Sequence, residues 1–279
     1  MTGIVLLTGA TGFVGRQVLR EFSEKGVRVR TLVRDGKQDQ LLNLNGVESI
    51  VTSPDLFYED SNWWATVCQG IDTVVHAAWY AEPTKYLQSS KNIDCLIGTL
   101  QFAKGCAQAG VKRFIGIGTC FEYELTAGYL STQTPLKPLT VYAGTKAAAF
   151  TTLSQFLPLH SVEFAWCRLF YLYGEGEDAR RLVPYLRSKL KAGEYAQLTS
   201  GKQIRDFLDV REAGKMIAEL ALGSQQGPIN VCSGEPITVR QLAEKIAEEY
   251  GRKDLLEFGS RPDNLIDPEC VVGIKNISS

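Results

Sequence analysis

The chain is poor in the features that would mark a metal, disulfide or membrane protein. Its 279 residues include two histidines, His76 and His160, and neither sits in a cluster with metal-ligand spacing. Seven cysteines, at 68, 95, 106, 120, 167, 232 and 270, are scattered without a C-x-x-C pair. An odd, unclustered set fits reduced thiols in a cytoplasm better than a disulfide framework. No apolar run approaches the roughly 20 residues that span a bilayer. The first apolar segment begins at Ile4 and leaves no room for a secretory leader, so a cytoplasmic location is expected. Charge of one sign is also lacking, because 30 Lys and Arg face 31 Asp and Glu for a net charge of −1. That balance makes no electrostatic case for nucleic acid or an anionic membrane. The chain shows no internal repeat or low-complexity stretch.

Glycine, in contrast, is placed with a pattern. The run Leu7-Thr8-Gly9-Ala10-Thr11-Gly12-Phe13-Val14-Gly15 follows the apolar segment Ile4-Val5-Leu6-Leu7. It opens a stretch with helical spacing at Phe13, Val14, Val18, Leu19 and Phe22. Strand, glycine turn and helix in that order is the setting of a dinucleotide-binding fingerprint. Gly9 suits the tight turn, Gly12 lets backbone approach a pyrophosphate, and Gly15 lets helix and strand pack closely. The free N–H groups of the new helix, from Thr11 through Phe13, Val14 and Gly15, then face the phosphates.

Strands are expected at 3–8, 27–33, 47–51, 72–77, 112–118 and 163–169, with helices at 13–25, 61–68, 88–109 and 141–157. Strands alternating with helices predict an α/β fold, a Rossmann-type doubly wound parallel sheet covered on both faces. The pattern changes after Tyr173-Gly174. A helix near 180–192, a strand near 195–199, the segment 204–207 and helices near 211–222 and 238–250 read as a smaller substrate-binding lobe. The division falls at 1–170 and 171–279, with a discontinuous boundary if later segments complete the sheet. The lobe is expected over the C-terminal edge of the sheet, where open α/β folds bind ligands.

The second strand runs into Arg34-Asp35. An acid at this strand end binds a ribose 2′-OH, whereas an Arg accommodates a 2′-phosphate. Arg34 therefore favours NADP, with NAD possible through Asp35. Asp55-Leu56 follows the third strand and is placed to contact adenine, and Ala77-Ala78 end the fourth strand with room for a dinucleotide. His76 reads as a buried structural histidine. Tyr142 and Lys146 lie four apart on one face of a helix start, and Thr119 ends the fifth strand. Together they suit action on a carbonyl or carbinol, and a nearby ammonium together with an oxidised nicotinamide is expected to favour the phenolate.

The chain resembles extended short-chain dehydrogenase/reductases of the NAD(P)-dependent epimerase/dehydratase family, which act on nucleotide sugars. The matching pieces are TGATGFVG (8–15), Asp55-Leu56, VVHAA (74–78), YAGTK (142–146), RLFYLYG (168–174), GKQIRDFLDV (201–210) and Arg261-Pro262-Asp263. The resemblance implies that Thr119, Tyr142 and Lys146 are catalytic and that Leu169 borders the cofactor. It implies that Cys120 and Tyr171 border the substrate and that Arg205 and Arg261 grip its diphosphate. It also implies a homodimer through helices 88–109 and 141–157, for which Phe102 and Phe150 are candidate exposed contacts. The chain departs from the family where an Asn is usual before Gly98, since Asp94 and Cys95 stand there. Cys120-Phe121 replaces the Asp-Glu of dehydratases, with Glu122 out of register, which argues against a 4,6-dehydratase. The leading expectation is an NADPH-dependent 4-ketoreductase of a nucleotide-linked 4-keto-6-deoxyhexose. The alternatives are a 4-epimerase with tightly bound NAD and a non-catalytic NADP-binding sensor.

Overall fold

The computed structural model describes residues 3–41, 44–264 and 267–275. β1 is Ile4–Thr8, α1 Gly15–Glu24, β2 Val29–Arg34 and β3 Val47–Ser53. Next come α2, Ser61–Val67, β4, Ile71–His76, α3, Lys91–Ala109, and β5, Arg113–Thr119. A short β6, Tyr129–Leu130, precedes α4, Val141–Leu159, and β7, Glu163–Leu169. The remainder supplies β8, Tyr171–Tyr173, α5, Leu182–Ala192, β9, Ala196–Leu198, β10, Ile204–Asp209, and α6, Val210–Leu222. Last are β11, Gly227–Val231, β12, Pro236–Thr238, α7, Val239–Glu249, β13, Leu256–Phe258, and β14, Cys270–Gly273.

The large sheet has the order β11-β7-β5-β4-β1-β2-β3, and its pairings are all parallel. Such sheets need both faces covered, which is why the strands are nearly continuous apolar runs. One face packs on Val18 and Phe22 of α1 and Ile217 of α6. The other packs on Trp64 of α2, Phe102 of α3 and Leu153 of α4. β11 joins this sheet beside β7 although it lies well beyond residue 170. The parallel sheet is thus assembled from two stretches of chain, because the β11 edge is supplied only after the chain has returned through α6.

Phe102 and Phe150 do not form an exposed face. Phe102 is fully buried and stacks on Trp64 with ring centroids 3.8 Å apart. Phe150 leans on Phe164 and Trp166 in the layer between α4 and the sheet. Both rings are large enough that burial against the sheet outweighs any surface role. The exposed apolar residues of α3 are Ile93 and Ile97.

A second, smaller sheet has the order β12-β10-β14-β6, with β8 paired to the other part of β10. Its anchor is Asp206, a buried carboxylate that accepts the N–H groups of Ser233, Gly234 and Gly273. β8 continues almost directly from β7, so the small sheet begins one residue beyond the C-terminal end of that strand.

Candidate active site

β1 is flanked by β2 on one side and β4 on the other, so chain order reverses there and a crevice opens at the strand ends. Gly9 occupies this point with φ +73°, a left-handed turn that glycine adopts without strain. Its O accepts the N–H of Gly12 at 2.9 Å. A Cβ on Gly15 would run into the Gly9 carbonyl, so the helix can approach only without one. The crevice is a cavity of about 530 Å³. Gly9, Thr11, Gly12, Arg34, Asp55, Leu56, Ala77 and Ala78 all line it, together with Phe57, Trp79 and Cys95. Phe13 and Val14 do not line it; Val14 packs on the α1 side of the core. Asp55 also caps the turn that follows, accepting the Phe57 N–H at 3.1 Å. The glycine turn and the small apolar residues of the floor fit a dinucleotide, and the exposed Arg34 stands at the β2 end of the cavity.

His76 is structural. Its Nδ1 and Nε2 lie 2.8 Å from Thr8 Oγ1 and 2.9 Å from Thr99 Oγ1. Thr99 gives its own hydrogen to the Cys95 carbonyl, which assigns the ring hydrogen to Nε2. Burial, helped by the charge of Lys146, pushes the imidazole down to about 3, so it stays neutral.

Thr119, Tyr142 and Lys146 come together where β5 ends beneath the start of α4. Thr119 pairs with Leu169 across β5 and β7, placing Leu169 beside it at the strand ends. Thr140 caps α4 by accepting the Ala143 N–H at 3.1 Å, which fixes the helix start that carries Tyr142. Burial pushes Tyr142 up, and Tyr86, Glu122 and Cys120 add to the shift. Tyr86 meets the phenol edge-on with centroids 4.8 Å apart. Lys146 is buried, and its Nζ donates to the Ile117 carbonyl at 2.5 Å. Burial lowers its ammonium to about 7, against an opposing pull from Glu122.

Behind Thr119 lies a network that sequence reasoning missed. The wholly buried Glu122 accepts the Thr119 N–H at 2.8 Å, the Trp166 indole N–H at 2.9 Å and Arg168 Nε at 2.8 Å. Arg168 Nη1 then donates to the Tyr123 hydroxyl at 2.9 Å, and that hydroxyl donates to Asn230 Oδ1 at 2.7 Å. A lone Glu one turn past a strand end gives no sequence signal for this.

The substrate-side candidates are less closely grouped. Cys120 is buried against Phe170 and Cys232, a packed small residue. Tyr171 meets Phe121 edge-on, packs at a tilt against Phe207 and lies under the Arg205 guanidinium, 5.3 Å away. Arg205 is buried and ion-paired, but to Asp267 at 2.7 Å and not to its neighbour Asp206. Arg261 is exposed and rests on the Tyr185 ring, so the structure brings the two arginines into no direct contact.

The NAD dependent epimerase/dehydratase family profile matches residues 5–232, from β1 through β11. The chain belongs to that family. Among curated members it is 24% identical to a dTDP-6-deoxy-L-talose 4-dehydrogenase (NAD(+)) of Aggregatibacter actinomycetemcomitans, over 97% of this chain and 99% of that one. It is also 24% identical to a dTDP-4-dehydro-6-deoxy-D-allose reductase of a Streptomyces species, over 92% and 85%. Among solved members, the Thermus thermophilus UDP-glucose 4-epimerase in complex with NAD superposes with TM-score 0.81 at 23% identity, covering 98% of this chain and 90% of that one.

Proposed function

We propose that this protein reduces the keto carbon of a nucleotide-diphosphate-linked 4-keto sugar, foremost a 4-keto-6-deoxyhexose. The observation that carries the reading is the half-buried Tyr142 phenol at the start of α4, one helical turn from the buried Lys146, whose Nζ reaches the β5 strand that ends at Thr119. A phenol held well above its usual range keeps its proton at neutral pH and gives it up only to a strongly basic oxygen, such as an alkoxide forming from a ketone. Thr119 orients the keto oxygen toward that proton. Lys146 adds positive charge where negative charge develops, and its charged form predominates below its value of about 7. A bound nicotinamide cofactor supplies the hydride.

Gly9, Thr11 and Gly12, with Asp55, Leu56, Ala77 and Ala78, hold that cofactor, and Arg34 favours NADP by meeting a 2′-phosphate. Arg205 and Arg261 hold the sugar nucleotide's diphosphate, Arg205 by exchanging Asp267 for phosphate oxygens. Two relatives named for 4-position oxidoreduction of 6-deoxy sugars support this choice. A second reading, 4-epimerisation with retained NAD, draws on the same three residues and on the NAD-bound epimerase of the same fold. The protein is further read as a cytoplasmic homodimer joined through α3 and α4, where Ile93 and Ile97 are exposed. Among the described residues, no helix is long and apolar enough to cross a membrane.

The test is turnover. Purified protein is incubated with a dTDP-4-keto-6-deoxyhexose and either NADPH or NADH. Stoichiometric loss of dihydronicotinamide absorbance supports the reductase. Conversion of a 4-hydroxy nucleotide sugar into its 4-epimer without net cofactor consumption supports the epimerase and refutes the reductase.

A further inference from the structure

Lys146 poses an electrostatic question. Its side chain is 3% exposed, and among the described residues no carboxylate lies within ion-pair distance of it. One of its three N–H groups is taken by the Ile117 carbonyl. A buried ammonium with a single hydrogen bond needs another source of negative potential.

That source is Trp79, two residues past the Ala77 that ends the crevice floor. Lys146 Nζ stands 3.7 Å from the centre of the Trp79 ring, much closer than its 5.8 Å to Trp166. The face of an indole carries the strongest negative quadrupole of the protein aromatics, and the attraction grows when water is excluded. The ring's orientation is itself fixed. Trp79 Nε1 donates to Asn92 Oδ1 at 2.9 Å. Asn92 is fully buried, and its amide nitrogen donates to the Tyr86 carbonyl at 2.6 Å and the Ser89 carbonyl at 2.9 Å. With both amide hydrogens committed, Oδ1 is left facing the indole. The Phe57 ring meets the indole at 72° with centroids 6.3 Å apart. The residues nearer Gly98 on α3, Asp94 and Cys95, provide no such support: Cys95 Sγ instead accepts the Tyr80 N–H.

We propose that Trp79 is a positioning residue for the reaction, its indole face, oriented by Asn92, holding the Lys146 ammonium in place between Tyr142 and the cofactor cavity. The proposal rests on the role given to Lys146 above. The other titratable groups facing Lys146 come from each neighbouring element. Glu122, in the turn after β5, is tied to Arg168. Cys95 on α3 has its thiol pushed up to about 11 by burial and stays protonated. His76 at the end of β4 stays neutral. Tyr142, on the same helix, stays protonated.

The experiment follows Lys146 directly, by NMR titration of the full-length protein labelled with 13C at lysine, the Lys146 signal being assigned by its loss in Lys146→Arg. The parent is compared with Trp79→Phe, which keeps a weaker aromatic face, and Trp79→Leu, which keeps bulk alone. The Lys146 titration is expected to move down by about one pH unit in Trp79→Leu and by less in Trp79→Phe. Because the charged form is the active one, the alkaline limb of the kcat profile moves down with it, costing up to about tenfold in kcat above that limb. KM for the sugar nucleotide changes little. If Trp79→Leu does not fold, the Trp79→Phe comparison decides. An unmoved Lys146 titration overturns the proposal, and so does a moved titration with an unmoved kcat limb. Undiminished turnover in Lys146→Ala would strike the functional reading instead, and the NMR comparison would still separate that failure from this one.

Discussion

Replacing Glu122 by Gln keeps the side chain's size and removes its charge. In the protein, Glu122 and Arg168 are 0% and 1% exposed, and their contact is 2.8 Å. Gln can still accept the Thr119 and Trp166 N–H groups through its oxygen. Its amide nitrogen then faces Arg168 Nε, donor against donor. Arg168 is left as a buried cation with the Tyr123 hydroxyl and two ring faces, and among the described residues its Nη2 already lacks a hydrogen-bond partner. Removing one partner of a buried pair costs about 3–5 kcal/mol. That is a large share of a typical stability of roughly 5–15 kcal/mol. For 279 residues, an unfolding entropy near 2.1 cal/mol/K per residue turns this loss into a Tm drop of about 5–8 °C. The assay is urea unfolding and calorimetry of Glu122→Gln, Arg168→Met and the double variant. The double variant should be less destabilised than the sum of the singles by about 2–3 kcal/mol, since no charge is then stranded. A Glu122→Gln cost below about 1 kcal/mol, in the range of exposed pairs, or strict additivity, would refute the argument.

Tyr142→Phe removes the proton donor while leaving the ring in place, so turnover should fall by about 100-fold or more with nicotinamide nucleotide affinity nearly unchanged in a fluorescence titration. Equal activity would sink the catalytic assignment. Arg34→Ala should weaken NADPH by about 10- to 100-fold, the size of a lost charge-assisted bond, and leave NADH almost unaffected; no difference between the two nucleotides would remove the case for NADP. His76 carries a pH signature. Its folded value of about 3 lies below the unfolded 6.5, so the unfolded chain binds the extra proton between those values. Its contribution to stability is present above pH 6.5 and is lost toward pH 3 at up to about 1.4 kcal/mol per pH unit. His76→Gln should flatten that part of the stability profile, and an unchanged slope between pH 6 and 4 would contradict it.

The parallel sheet was legible because its strands are buried on both faces and therefore stand out as apolar runs. The limits expected for β1 to β5 and β7 fall within two residues of those observed. β6, β8, β12 and β14 were not legible: each is only two to four residues long and is defined by its partner. The glycine turn was readable for a local reason, since its conformation and the packing of Gly15 on Gly9 depend on neighbours within seven positions. The grouping of Tyr142 and Lys146 on one helix face was readable from residue type and helical spacing, but its electrostatics were not. The sign of the Tyr142 shift depends on burial, which no spacing reports. Phe102 and Phe150 show the converse, as apolar residues on a helix whose inward or outward sense only packing decides.

Glu122 marks the division most clearly. As a letter in the sequence it is a carboxylate out of register for dehydratase chemistry. In the folded chain it is the buried acceptor that Thr119, Trp166 and Arg168 share, from residues 3 to 46 positions away. By itself the sequence determined the strand–helix alternation, the glycine turn after β1 and the candidacy of Thr119, Tyr142 and Lys146 for the proposed site. These rest on local periodicity and on chemistry carried by single side chains. Only the tertiary structure decided which charges are compensated and by what: Glu122 by Arg168, Arg205 by Asp267, and Lys146 by the face of Trp79. Such compensation acts between groups distant in the chain, in surroundings that the fold has cleared of water.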